Sequence, residues 1–312
     1  MKKVIITILT AGLLLSACGK NPKIDDTMLD GGKFPDPSLS HPEKYLVSVA
    51  KPTPTPADAT KPVIIAVHGY GATTFEWDEF RAWAGNRTDF SISQVLLGGH
   101  GVDYDNFKSS TWKIWRQPIM NEYSKLEQEG YTNISLAGSS TGSTLILELI
   151  AEGYFNNHVK PKHIFLVDPI IIPSNKTLSL VAVLGPVIGY TTVDNTSGEA
   201  MYYFHYRPYE TLDQLNDVIN TVRKQLQDGI TLPAGCTLKV FKADKDDTAD
   251  PVSAVLIYKG TKASTGANTD AQLVHSNLHV FTRLDARKDT PTAQDVKNQT
   301  DAFADIANTI TH

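Results

Sequence analysis

Several residue groups in this 312-residue chain are suited to nucleophilic attack on a carbonyl. Gly138-Ser139-Ser140-Thr141-Gly142 places a serine between glycines two residues before and two residues after it. A serine attacks only if its Oγ stands clear of the backbone, and glycines at those offsets let a strand and a helix close around a tight turn. His68-Gly69-Tyr70-Gly71 can supply backbone N–H groups to a developing oxyanion, and the expected pair is the amides of Tyr70 and Thr141. The His68 side chain is read as a packed, hydrogen-bonded histidine, since only the loop backbone is required. A serine nucleophile also needs a base and an acid to orient it, and candidates for both follow it along the chain. The stretch 243–251 holds Asp244, Asp246, Asp247 and Asp250, which composition does not separate, and Asp168 is a further candidate. Such a carboxylate run is also what a solvated loop looks like. His275 and His279 compete as base; their i,i+4 spacing is no zinc motif, because no H-E-x-x-H pattern accompanies it.

These groups need elements to hold them. Val63–Val67 is a continuous β-branched run of the kind buried on both faces of a sheet, and it ends at His68. Val95–Leu97, Ile134–Ala137, Ile164–Val167 and Leu238–Phe241 read as further strands, with a first one over Tyr45–Ala50. Residues 114–129 and 144–152 carry helical spacing and stop at Gly130 and Gly153. The segment Ile134–Glu152 is therefore strand, tight turn, helix, the context that a nucleophilic serine requires. Residues 174–235 read as a cap insertion, in which Leu212, Leu215, Ile219, Val222 and Leu226 follow a Thr211-x-x-Gln214 capping box. Its apolar stretches KTLSLVAVLGPVIGY and MYYFHYRPY, like Trp112 and Trp115, are read first as packing. A last helix should start at Thr290-Pro291 and present Val296, Phe303, Ile306 and Ile310 on one face. Repeated β-α order predicts an α/β fold, mostly parallel, with helices on both faces of the sheet.

The first eighteen residues read as a targeting segment. Lys2 and Lys3 precede an apolar run over Val4–Leu15, too short to span a membrane, and Leu15-Ser16-Ala17-Cys18 follows. That tetrapeptide resembles a bacterial lipobox, which implies cleavage after residue 17, lipidation of Cys18 and anchoring on the extracytoplasmic side. Residues 18–44 are read as a solvated tether and residues 45–312 as one domain. Losing residues 1–17 removes two lysines and no acid, taking the net charge from −5 to −7. Lipid must then do the anchoring, and nucleic acid is a disfavoured partner. Cys236 is expected to be buried rather than reactive.

From Val63 onward the chain resembles the α/β-hydrolase superfamily, in its bacterial carboxylesterase and monoglyceride-lipase branch. The similar stretches are VIIAVHGYGATTFEW, VLLGGHGVD, EGYTNISLAGSSTGS, FKADKDDTADPVSA and NLHVFTRLDARKD, in family order. The resemblance places the acid on Asp246 and the base on His279, and implies an acyl-enzyme mechanism with no metal or organic cofactor. Ser139, Ser143, Ala243 and Leu278 depart from the family pattern. The expected substrate is a small ester or lipid, hydrolysed at a rate that rises through the histidine titration at about pH 6 to 7. The competing reading is a surface lipoprotein that keeps the fold for binding alone.

Overall fold

The computed structural model describes residues 21–22, 46–47, 59–85, 87–174 and 189–312. The predicted leader, Cys18, nearly all of the tether and most of KTLSLVAVLGPVIGY lie outside these residues.

The main strands are Leu46–Val47 (β1), Val63–Val67 (β2), Ser91–Val95 (β3), Ile134–Ser139 (β4) and His163–Val167 (β5). Tyr190–Thr192 (β6) and Tyr206–Pro208 (β7) form an antiparallel pair, and Ile230–Thr231 (β8) precedes Thr237–Ala243 (β9). Thr261–Lys262 (β10) pairs with β8, and Asp270–Val274 (β11) completes the main sheet. The order in that sheet is β1-β3-β2-β4-β5-β9-β11, with β1 antiparallel and the other six parallel.

Side-chain alternation divides the core in two. Val63, Ile65, Leu136, Ile164, Leu166, Leu238 and Val240 face one layer of helices, while Ile64, Ala66, Ala137, Phe165 and Phe241 face the other. Helix α1 spans Asp78–Ala84, α2 Tyr104–Ser109, α3 Trp112–Gln128 and α4 Thr141–Ala151. Helix α5 spans Tyr209–Asp228, α6 Val252–Gly260 and α7 Ala293–Thr311. Trp115, Ile119, Leu145, Leu149, Leu215, Ile219 and Ile257 bring α3, α4, α5 and α6 onto the first face, whereas Phe80, Phe303 and Ile306 bring α1 and α7 onto the second. Such two-sided burial favours continuously apolar strands, as in Val63–Val67.

Several elements differ from the sequence expectation. Helix α5, expected within a cap, lies in the layer flanking the sheet, with Leu215, Val218, Ile219, Val222 and Leu226 in the main core. It begins two residues before Thr211, so no capping box forms there; the Thr211 hydroxyl donates to the Pro208 carbonyl at 3.0 Å instead. Helix α7 begins after Thr292, which forms a reciprocal capping box with Asp295. Val296 is 49% exposed, because the first turn of α7 buries Asp295 against the Ser276 hydroxyl and Asn298 against the His275 carbonyl. β11, which the sequence reading did not delimit, is an edge strand whose first four residues are exposed and so lacks an apolar alternation.

Candidate active site

Because six strands run parallel, the loops after β2, β4, β5, β9 and β11 leave from the same edge of the sheet. These loops begin near His68, Ser140, Asp168, Asp244 and His275, so topology gathers the candidate nucleophile, acids, bases and oxyanion loop at one edge.

Ser140 occupies the turn between β4 and α4 with φ 47° and ψ −115°, a conformation that costs a non-glycine residue free energy. The turn can be this tight because Gly138 and Gly142 carry no Cβ: at Gly142 one would lie 2.5 Å from the Val67 carbonyl oxygen, and at Gly138 2.6 Å from the Ser143 nitrogen. The two serines that depart from the family pattern are tied into the same turn. Ser143 Oγ donates to the Gly138 carbonyl at 2.6 Å, and Ser139 Oγ donates to the buried Glu76 carboxylate.

The Ser140 hydroxyl lies 2.9 Å from His279 Nε2, and His279 Nδ1 lies 2.7 Å from Asp246 Oδ2. A carboxylate can only accept, so the neutral imidazole carries its proton on Nδ1 and leaves Nε2 to accept from the serine. Asp246 Oδ1 accepts the Thr248 and Ala249 amides at 2.8 and 3.0 Å. Burial pushes the Asp246 carboxyl up, but the neighbouring His279 and the Lys242 ammonium outweigh it and hold the group well below the usual carboxylate range. Lys242 Nζ donates to Asp246 Oδ2 at 2.5 Å and to Asp168 Oδ1 at 2.9 Å.

Asp168 is thus one link removed from the histidine. Its carboxylate also accepts the Ala243 amide at 2.8 Å and the Phe281 amide at 3.0 Å, joining β5, β9 and the loop that carries His279. Arg287 secures that loop from the other side, donating to the His279 and Val280 carbonyls at 2.6 and 2.7 Å. Among the described residues four non-glycines have positive φ; Ser140, Asp168 and Val280, three of the four, lie here. Strain of this kind persists where surrounding contacts over-determine the backbone, and it concentrates at functional sites.

The remaining candidates lie apart. His275 is exposed and pairs with Asp244 at 2.9 Å, outside the relay. His68 is fully buried, with Nδ1 donating to the Gly69 carbonyl at 2.8 Å and Nε2 accepting the Leu97 amide at 3.0 Å. Burial lowers its pKa to about 4 despite the opposing pull of Glu76. Cys236 is buried, and burial pushes its thiol up to about 12.

The amides of Tyr70 and Thr141 have no acceptor among the described residues, and that of Thr141 opens α4, whose positive end points into the site. The Tyr70 loop is clamped from the insertion. Arg207 Nη1 donates to the Tyr70 carbonyl at 2.9 Å, and the Tyr70 hydroxyl bonds Thr211 Oγ1 at 2.6 Å. Gly71, at φ 66°, makes room for the guanidinium, since a Cβ there would lie 1.5 Å from Arg207 Nη1.

Sequence reasoning missed Lys242 and Glu76. The signal for Lys242 was available: it falls on the strand face of Leu238 and Val240, where a charge is out of place, four residues before Asp246. Glu76 lies in a single short 3-10 turn, Thr74–Trp77, and carried no such signal. It accepts the Gly69 amide at 2.7 Å and the Tyr203 hydroxyl at 3.3 Å, so it ties the glycine-rich loop to the insertion.

No protein-family model matches the chain. Among solved structures it resembles the monoglyceride lipase of Saccharomyces cerevisiae, with a TM-score of 0.62 at 14% identity, covering 80% of this chain and 86% of that one. A structure from LipS and LipT, two metagenome-derived lipolytic enzymes, matches with a TM-score of 0.60 at 14% identity, over 81% and 95% of the two chains. The monoacylglycerol lipase of Paleococcus ferrophilus gives 0.59 at 12% identity, over 81% and 96%. Together with the mostly parallel sheet and its two helical layers, these likenesses establish that the chain has the α/β-hydrolase fold.

Proposed function

We propose that this protein is a serine carboxylester hydrolase. The observation that carries the reading is the continuous link from Ser140 Oγ through His279 to Asp246, at 2.9 and 2.7 Å, in a fold shared with lipolytic enzymes. His279 takes the Ser140 proton as the hydroxyl attacks an ester carbonyl, and Asp246 stabilises the imidazolium that forms. The Tyr70 and Thr141 amides receive the oxyanion. His279 then protonates the leaving alcohol and activates the water that releases the acid. Short- to long-chain acyl esters, including acylglycerols, are the proposed substrate class, in keeping with the monoglyceride and monoacylglycerol lipases among its structural neighbours. The leader pattern supports placing the enzyme outside the cytoplasm on a lipidated Cys18. No helix among the described residues is long and apolar enough to cross a membrane.

The test is fluorophosphonate labelling of the full chain in detergent beside Ser140→Ala, followed by hydrolysis of p-nitrophenyl esters of increasing acyl length. Labelling that vanishes in the variant, with turnover, is expected. Folded wild-type protein that takes no label would reject the reading and favour a binding protein on the same fold.

A further inference from the structure

Lys242 is fully buried near the end of β9, on the strand face that Leu238 and Val240 turn into the core. An ammonium in such a place is costly to desolvate, and an apolar residue of similar volume would serve packing at least as well. Its surroundings explain its presence. The ammonium bridges Asp168 Oδ1 and Asp246 Oδ2, and that second oxygen is also the one that accepts His279 Nδ1–H.

We propose that Lys242 is a positioning residue for the acid–base pair: it keeps Asp246 ionised with one oxygen aimed at His279, and Asp168 is the counter-charge that lets the ammonium stay buried. This rests on the acyl-transfer reading above. Without Lys242, two carboxylates would share one buried pocket with no cation between them, and the charge facing the imidazole would rise from one negative to two. With it, Asp168, Lys242 and Asp246 together carry one net negative charge while the imidazole is neutral. The imidazolium formed during attack brings the cluster to zero. Lys242 therefore offsets Asp168, and the imidazole faces the equivalent of one carboxylate.

The other groups around the imidazole are the Ser140 hydroxyl and the guanidinium of Arg287, which holds the His279 carbonyl. Farther out, Arg283 pairs with Glu199 at 2.7 Å and lies over the Tyr203 ring, which bonds Glu76. The His275–Asp244 pair lies on the neighbouring loop. None of these bridges the two buried aspartates.

The test is the acid limb of kcat/KM against pH for the full chain in detergent, with p-nitrophenyl acetate. Lys242→Met removes a positive charge near the imidazole and should move the limb upward by about one pH unit. Asp168→Asn leaves the ammonium uncompensated and should move it downward by a similar amount. The double variant removes opposite charges together and should return the limb to within about half a unit of wild type. Melting curves check folding, and Asp168→Asn and the double variant keep the test open if Lys242→Met does not fold. A structural role alone would lower melting temperature or kcat with the limb fixed. An unmoved limb, or shifts of the same sign in both single variants, overturns the proposal. Wild-type protein that neither labels nor turns over rejects the acyl-transfer reading itself; an active wild type with unmoved variants rejects only the role of Lys242.

Discussion

The turn around Ser140 is held largely by its own short segment, through Gly138, Gly142 and the Ser143 hydroxyl, whereas His279 is held by side chains drawn from the ends of β5 and β9 and by Arg287. The first half of the site is a matter of backbone shape and missing Cβ atoms. The second is a matter of buried charge, in which three ionisable side chains and several amides fix one imidazole. A local turn tolerates no added atom, while a charge network tolerates no change in net charge, so the two halves should fail in different ways.

The sharpest separation is between the two aspartates. Asp246→Asn should lower kcat by roughly 10⁴-fold, because the imidazole loses the acceptor that sets its tautomer. Asp168→Asn, one link away, should cost less than about a hundredfold. Steady-state kinetics on one ester compares them, and equal losses would break the assignment of Asp246 as the direct partner.

Acid should loosen the Tyr70 loop before it reaches the charge network. His68 beneath the Tyr70 loop has a folded pKa lowered to about 4, so between that value and its ordinary value of about 6.5 the unfolded chain binds the extra proton. The associated stabilisation is complete above about pH 6.5 and is lost as pH falls toward about 4, amounting to roughly 3 kcal/mol. His100, buried against His68 and lowered well below its ordinary value, acts in the same direction. Asp246 has a depressed folded value, so its contribution is present above the ordinary carboxylate pKa and is lost only at lower pH still. Urea unfolding between pH 7 and 4 should show a falling midpoint that becomes shallower in His68→Gln; an unaltered slope would reject this account.

At the elbow, Gly142→Ala should destabilise by about 2 kcal/mol, since the nearest obstacle is the backbone oxygen of Val67 rather than a movable side chain. Thermal melts would show it, and a neutral substitution would mean that the turn has slack. The smallest effect is expected at the clamp from the insertion. Tyr203→Phe removes the hydroxyl bonded to Glu76 and should cost about 1 kcal/mol in denaturant melts with the acid limb of activity unchanged.

The same contrast decides what could be read from sequence. The elbow was legible because its requirements are local: a buried strand, glycines at fixed offsets and an apolar helix all lie between residues 134 and 152. The four aspartates of the 243–251 loop were not separable by composition, since what distinguishes Asp246 is which of them faces His279 across the sheet edge, and only the family resemblance pointed to it. Lys242 was passed over because the strand was ended at Phe241, one residue before it. Elsewhere tertiary contacts overrode local patterns. The Thr211 hydroxyl serves Tyr70 and Pro208 instead of capping, and polar partners on the loop after β11 turn Val296 outward. β11 itself could not be delimited because an exposed edge strand owes its pairing to backbone rather than to an apolar stripe.

Strand order also governs when the site can exist. From β4 the sheet grows outward in chain order through β5 and β9 to β11, and His279 follows the outermost strand. Chains are synthesised from the N-terminus, so the Ser140 turn is available while His279, the base of the proposed mechanism, is still unmade. On that mechanism the hydroxyl of a nascent chain is therefore inert. On the proposed mechanism hydrolysis would begin only when the C-terminal strand docks, and a chain cut anywhere ahead of residue 279 should be silent toward esters however well its first half had folded.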